Sequence, residues 1–237
     1  MLKKIIIFLI SLCPLSPALY AAPITIQPDE AASKDAFVYQ GLATSFNSDT
    51  YNSGQFVSLL SSGASGSGHD TKTYIQFDLS TIPVGGISNA TLNLYVGDSS
   101  ITGFGGSPTA ASPITANVHR VIDGWTESGV MYSPAVSYSS TVEAFQVISG
   151  IDAYISFDVT ALVQAWLAGT FTNNGFAIDQ PSVVVDSVSG LKNIAVYDSA
   201  SGTHTPFLSV TVPEPAGLVL LSLLPAFAMS RRRERHV

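Results

Sequence analysis

Thr91-Leu92-Asn93-Leu94-Tyr95-Val96 is the stretch that decides the fold. Leu92, Leu94 and Val96 fall on one face and Asn93 on the other, the period of two that marks a β-strand with one buried side. Working outward, the same kind of short alternating segment recurs at 36–39, 55–59, 73–77, 114–122, 153–157, 175–178, 194–197 and 207–212. Gly, Ser, Asn and Pro separate these segments, and no long amphipathic helical pattern interrupts them. About nine or ten short strands with such turns predict an all-β chain folded as an antiparallel jelly-roll β-sandwich. The Gly/Ser stretch 61–68 and the Gly/Pro/Ala stretch 103–112 read as loops inside that sandwich rather than as domain linkers.

One short helix is predicted after Asp158-Val159-Thr160, running from Ala161 to Leu167 with Gly169 closing it. Thr160 or Asp158 is placed to cap the first turn, and Gly169 to supply a left-handed exit. Leu162 with Trp166, and Val163 with Leu167, lie four residues apart and predict one apolar face. Trp166 is therefore expected in the core.

Two further helices are expected at the ends, one in a signal and one in a membrane segment. Lys3 and Lys4 precede an apolar stretch and then small residues and Pro, the pattern of a secretory signal peptide over 1–21. Cleavage after Ala21 is preferred, since a cut one residue later would leave Pro23 in the first mature position. Cys13 is the only cysteine and lies within that signal, so the sandwich, residues 22–211, is expected to hold together without disulfides or thiol chemistry. Residues 212–237 form a third unit. Val212-Pro213-Glu214-Pro215 forbids regular hydrogen bonding and stays extended, an apolar run to Met229 follows, and Arg231, Arg232, Arg233 and Arg235 close it. The 19 residues from Val212 to Ser230 would make a helix of about 28 Å, just under a hydrocarbon core of about 30 Å, with the arginines holding the cytoplasmic side. In order and content this tail resembles the PEP-CTERM sorting signal of Gram-negative bacteria. The resemblance implies an exosortase-type membrane protease as partner, a transient membrane anchor, and a final place on the cell surface or outside the cell.

Charge narrows the partners. Of ten basic residues only Lys34, Lys72, Arg120 and Lys192 lie outside the terminal signals, against 15 of the 17 acids once Glu214 and Glu234 are set aside. A net charge of about −11 on the sandwich argues against nucleic acid and anionic lipid, and makes an acidic polysaccharide a poor ligand unless calcium bridges the two.

A second resemblance rests on motifs in fixed order: Lys34-Asp35-Ala36-Phe37-Val38, Thr73-Tyr74-Ile75-Gln76-Phe77-Asp78-Leu79-Ser80, Ile87-Ser88-Asn89-Ala90-Thr91-Leu92-Asn93-Leu94-Tyr95 and Trp125-Thr126-Glu127-Ser128-Gly129-Val130. Phe157-Asp158-Val159-Thr160-Ala161-Leu162-Val163-Gln164-Ala165-Trp166, Asn174-Gly175-Phe176 and Pro206-Phe207-Leu208-Ser209-Val210 complete it. The chain resembles the DNRLRE-type domain of secreted bacterial and archaeal proteins, some of which are carbohydrate-binding modules attached to polysaccharide-degrading enzymes. It departs from that family in having Lys72-Thr73 where many members place Arg before the Tyr, and in lacking a Phe-x-Ser-x-Glu-like segment near 194–200.

No catalytic set converges in the sequence. His69, His119 and His204 have no metal-ligand spacing, and there is no nucleophile elbow or phosphate loop. Asp123 with Glu127, and Asp78 with Asp158, are the carboxylate pairs a polysaccharide hydrolase or lyase would need. Asp78 and Asp158 read more simply as turn and cap residues, and Glu127 as support for the turn at Gly129. Asp29, Asp35, Asp70 and Asp198 are loop or strand-edge acids that suit a structural calcium ion, with solvated surface acids as the simpler reading. For sugar binding, aromatics in or beside polar loops are the candidates: Tyr39, Tyr51, Trp125 and Tyr132, followed by Phe46 and Tyr138. The expectation is an exported, non-enzymatic, polysaccharide-associated surface or matrix protein. An adhesive or assembly protein acting through strand edges is the alternative.

Overall fold

The computed structural model describes residues 23–28, 34–39, 46–47, 57–60, 71–83, 86–97, 108–111, 113–180, 193–196 and 205–213, all of them within the compact unit Ala22–Pro213. The expected signal helix, the transmembrane helix and the residues from Glu214 onward lie outside the described residues. Among the described residues no helix is long and apolar enough to cross a membrane.

Twelve strands and one helix make up the described structure: β1 (Ile24–Ile26), β2 (Lys34–Tyr39), β3 (Phe46–Asn47), β4 (Val57–Leu60), β5 (Thr71–Gln76), β6 (Asn89–Gly97), β7 (Ile114–Arg120), β8 (Ala144–Ile148), β9 (Ala153–Asp158), α1 (Thr160–Leu167), β10 (Phe176–Asp179), β11 (Asn193–Val196) and β12 (Phe207–Thr211). They form two antiparallel sheets, as the alternation predicts. In the first, β6 is the spine. β12 pairs with its first half and β11 with its end on one flank, β9 runs along the other, and β1 and β4 lie outside β12 and β11. The second sheet has the order β3-β2-β5-β10-β7-β8.

The two inner faces meet in one core. Leu92, Leu94 and Val96 of β6, Phe157 of β9 and Leu208 and Val210 of β12 face Ile75, Ala116, Val118, Phe176 and Ile178 of the second sheet. Leu162, Val163 and Trp166 of α1 join this core, which is where the sequence places Trp166. Leu167, expected on the same face, is instead exposed, because the helix ends there and turns out through Gly169 at a φ of 72°. The start of the helix is held by Asp158, whose carboxylate accepts the Thr160 amide at 3.0 Å. Thr160 does not cap it: its hydroxyl accepts the Ala90 amide at 2.9 Å and ties the helix to β6. Asp78 takes the Ser80 amide and hydroxyl in the same way. The Thr160 and Ser80 hydrogen bonds hold both carboxyls below the ordinary value. Both acids thus close short turns onto the amide two residues ahead, while the N-cap position of the helix, Val159, has no side-chain cap.

Three strands go beyond those expected. β1 and β3 are too short to carry a period. In β8 the large residues point the other way, with Phe145 and Val147 exposed and only Ile148 buried.

Candidate functional site

The second sheet carries apolar residues on its outer face as well. Ala36 of β2, Tyr74 of β5 and Ala177 of β10 lie in one cross-strand row that ends at His119 of β7, and all four are buried. What covers them is an out-and-back excursion, residues 121–141, between β7 and β8. Val121 bridges Tyr138, the Ile122 amide donates to the Ser137 carbonyl at 2.8 Å, and the Ser139 amide donates to that of Arg120 at 2.8 Å. Val121, Trp125 and Val130 close over Ala36, Val38, Tyr74 and Ala177 as a second apolar cluster, with Tyr132, Val136 and Tyr138 packed at its margin.

The tip of the excursion is a tight turn in which the amides of Gly129 and Val130 both donate to the Thr126 carbonyl. Glu127, expected to support this turn, reaches beyond it. Its carboxylate accepts the Asp35 amide at 3.1 Å and fastens the tip to β2. Lys34 adds a second tie, donating to the Trp125 carbonyl at 2.9 Å with its ammonium 5.7 Å from the ring centroid. A pocket of about 390 Å³ opens here, lined by Lys34, Gly124, Trp125, Thr126, Gly129 and Val136. Its polar equipment is an ammonium with donors to spare, an exposed threonine hydroxyl and main-chain groups of the turn, which suits a polyhydroxylated ligand of modest size.

The other end of the excursion is clasped by charge. The Nδ1 of His119 lies 2.9 Å from the Thr141 carbonyl and Nε2 lies 3.2 Å from Asp179. With an acceptor at each nitrogen, the ring is satisfied only as the doubly protonated imidazolium. The Tyr138 hydroxyl donates to the second oxygen of Asp179 at 2.9 Å. The Lys72 ammonium sits 5.4 Å and 5.2 Å from the ring centroids of Tyr132 and Tyr138. Burial, the largest single influence on His119, pulls its pKa down, but the Asp179 hydrogen bond and charge with the Thr141 and Ser139 groups outweigh it, so the net direction is up from 6.5. For Asp179 burial pushes up, and His119, Tyr138 and Lys72 together bring it below 3.8. The clasp is therefore complete between those two shifted values. A raised histidine stabilises most below its unfolded pKa and loses that contribution as pH rises through the folded one. His119→Gln should accordingly lower stability by about 1 kcal/mol at pH 5–6, with the difference shrinking in alkali, as read from urea melts across pH.

Of the sequence-predicted residues, Trp125 is 6% exposed, with its indole N–H donating to the Asn174 carbonyl at 2.8 Å and its ring 5.8 Å from that of Tyr74. It lines the pocket although it is nearly buried. Tyr132 is half-buried over Lys72. Tyr39 belongs to β2, but its side chain, like Tyr51, lies outside what is described. The sorting motif is described only at Val212, half-buried, and Pro213, exposed; Glu214, Pro215 and the four arginines lie outside. Asp35 is buried beneath Glu127, while Asp29, Asp70 and Asp198 lie outside. Among the described residues no group of three or more His, Cys, Asp or Glu could hold a metal ion. The structure thus brings together Trp125, Tyr132, Glu127 and Asp35 with Lys34, Lys72, His119 and Asp179. Lys34 and Asp179 carried no distinguishing signal in the sequence, since only strand pairing sets them beside residues 91 and 60 positions away.

A comparison with curated proteins found no match. A comparison with protein families matched carbohydrate-binding module family 96 over residues 27–210. That span takes in both sheets apart from β1 and the last residue of β12, the helix and the excursion with its pocket, and by it the chain belongs to carbohydrate-binding module family 96.

Proposed function

We propose that this chain is an exported, non-catalytic surface or matrix protein that holds polysaccharide in the pocket between Lys34 and the Thr126–Gly129 turn. The observation that carries the reading is the family match across nearly the whole sandwich, a family of binding modules. The polar, partly open pocket on the excursion supports it, and so does the placement of Asp78 and Asp158 in turns. A glycan array probed with the purified exported protein, with and without calcium, tests it. Binding to a polysaccharide class is expected, weakened about fivefold by Thr126→Ala, which removes the pocket hydroxyl and is about 1 kcal/mol. Turnover of the bound glycan would overturn the non-catalytic part, and failure to bind any glycan would overturn the rest.

The route to the surface is part of the proposal. The motivation is the order of the two terminal signals around a DNRLRE-like sandwich: a signal peptide cleaved after Ala21, and a PEP-CTERM tail read by an exosortase-type protease of a Gram-negative bacterium. Glu214→Ala is expected to leave a longer, membrane-retained product on fractionation. A product of unchanged size and location would count against the sorting role. An assembly protein acting through strand edges is the second reading, favoured by one observation: β8, at the edge of its sheet, carries no charge and exposes Phe145 and Val147.

A further inference from the structure

The outer face of the first sheet differs from that of the second in having no excursion over it among the described residues. Three aromatic side chains stand there on three adjacent strands. Tyr95 of β6 lies directly opposite Tyr154 of β9, and Phe207 of β12 sits across β6 beside Asn93. The rings are in edge contact, Tyr95 to Tyr154 at 5.2 Å between centroids and Tyr154 to Phe207 at 5.3 Å. Because β9 and β12 flank β6, the Tyr154 and Phe207 rings reach across the spine to meet. Asn93 is buried beneath them although it lies on the solvent-side row, and it is satisfied by the Thr91 carbonyl and the Ser156 hydroxyl. Tyr154 remains 43% exposed, with its hydroxyl donating to the Thr205 carbonyl at 3.3 Å. A tyrosine so placed is held by its neighbours and still offers much of its surface to solvent.

We infer that this aromatic strip is a second polysaccharide surface, for neutral sugar units, on the sheet opposite the pocket. This rests on the polysaccharide reading above and adds to it a separate site and ligand class. The strip spans two strand spacings, about 10 Å. Its outward residues are Thr91, Tyr95, Tyr154, Ser156, Phe207 and Ser209, which alternate apolar rings with hydroxyls, and its one carboxylate, Asp158 opposite Thr91, stands at the end away from the Tyr95–Tyr154 pair. The C–H face of a pyranose stacks on such rings while its rim hydroxyls reach serine and threonine, and a strip whose one charge is a carboxylate at its end, on an acidic body, favours a neutral chain over an acidic one. Rings that already brace each other lose little freedom on binding. With a site on each sheet, one molecule could link two polysaccharide chains.

The test is affinity electrophoresis of the full exported protein in gels containing soluble β-glucan, xylan or galactomannan. Tyr154→Ala should weaken retention by about tenfold. The melting midpoint should stay within about 2 °C, because the side chain is outside both apolar clusters. Tyr154→Phe should keep retention, since the hydroxyl serves only Thr205. Thr126→Ala, in the pocket, should leave the Tyr154-dependent part intact. Retention weakened by Thr126→Ala and unchanged with Tyr154→Ala would overturn the second surface and leave the pocket reading standing. Concentration-dependent self-association that Tyr154→Ala removes, without retention by any of the three polymers, would assign the strip to protein contact and overturn the inference. Retention dependent on Tyr154 and indifferent to Thr126 would support the strip while counting against the pocket.

Discussion

Replacing Gly175 by alanine should be the most damaging single change in the sandwich, at about 3–5 kcal/mol and roughly 10 °C in melting midpoint. Gly175 enters β10 at a φ of 88°, where side chains are strained. A Cβ there would meet the Ile75 carbonyl oxygen at 2.4 Å and Gln76 Cα at 2.9 Å, both backbone atoms of the paired strand β5 that cannot swing aside. The surrounding bonds leave no slack. The Gly175 amide donates to Asn173 at 3.1 Å, and its carbonyl accepts the Val121 amide at 3.0 Å as the excursion departs. Thermal and urea unfolding of the variant would measure the loss. A cost under about 1 kcal/mol would mean that β5 and β10 can separate without consequence.

Phe176→Ala should cost about as much for a different reason. Phe176 is fully buried between the sheets, with its ring 4.8 Å from that of Trp166 and 6.3 Å from that of Phe77, both in edge-to-face arrangement. Removing it leaves a cavity between helix and sheet that neither ring can fill without leaving its own partners, and truncations of this kind cost about 3–5 kcal/mol. Phe176→Leu should recover more than half of that loss in the same urea melts. Equal losses for both variants would show that ring contacts rather than volume set the cost. Since Gly175 and Phe176 are adjacent, the double variant should lose less than the sum.

The legible part of this fold is the part in which alternation and burial agree. Leu92, Leu94 and Val96 announce β6, and Ile114, Ala116 and Val118 announce β7, because each strand buries one side and wets the other. β8 defeats the same rule: Phe145 and Val147 face out, and Ala144 and Gln146 are half-buried. The outer face of the second sheet hides its nature for a related reason. Ala36, Val38 and Tyr74 look like the solvent side of their strands, and only the excursion, far along the chain, makes them interior. Trp125 was legible as a residue that matters, but its burial depends on Tyr74, Lys34 and Asn174, which no local pattern connects. The same distance conceals the His119–Asp179 clasp. Tyr154 carries no local signal, because it sits in a strand rather than a loop and its exposure comes from the sheet face it occupies.

The two apolar clusters have an optical consequence. The chain has two tryptophans, and each cluster holds one: Trp166 in the core between the sheets, Trp125 in the cluster beneath the excursion. Their surroundings differ, since the Trp125 indole N–H donates to Asn174 whereas that of Trp166 is buried without a partner. The fluorescence of the unlabelled protein is therefore a two-channel signal. A Trp166→Phe form would report the excursion alone and a Trp125→Phe form the sandwich alone. Coincident transitions in the two would mark a single cooperative unit, and separate ones an excursion that lifts off while the sheets stay together.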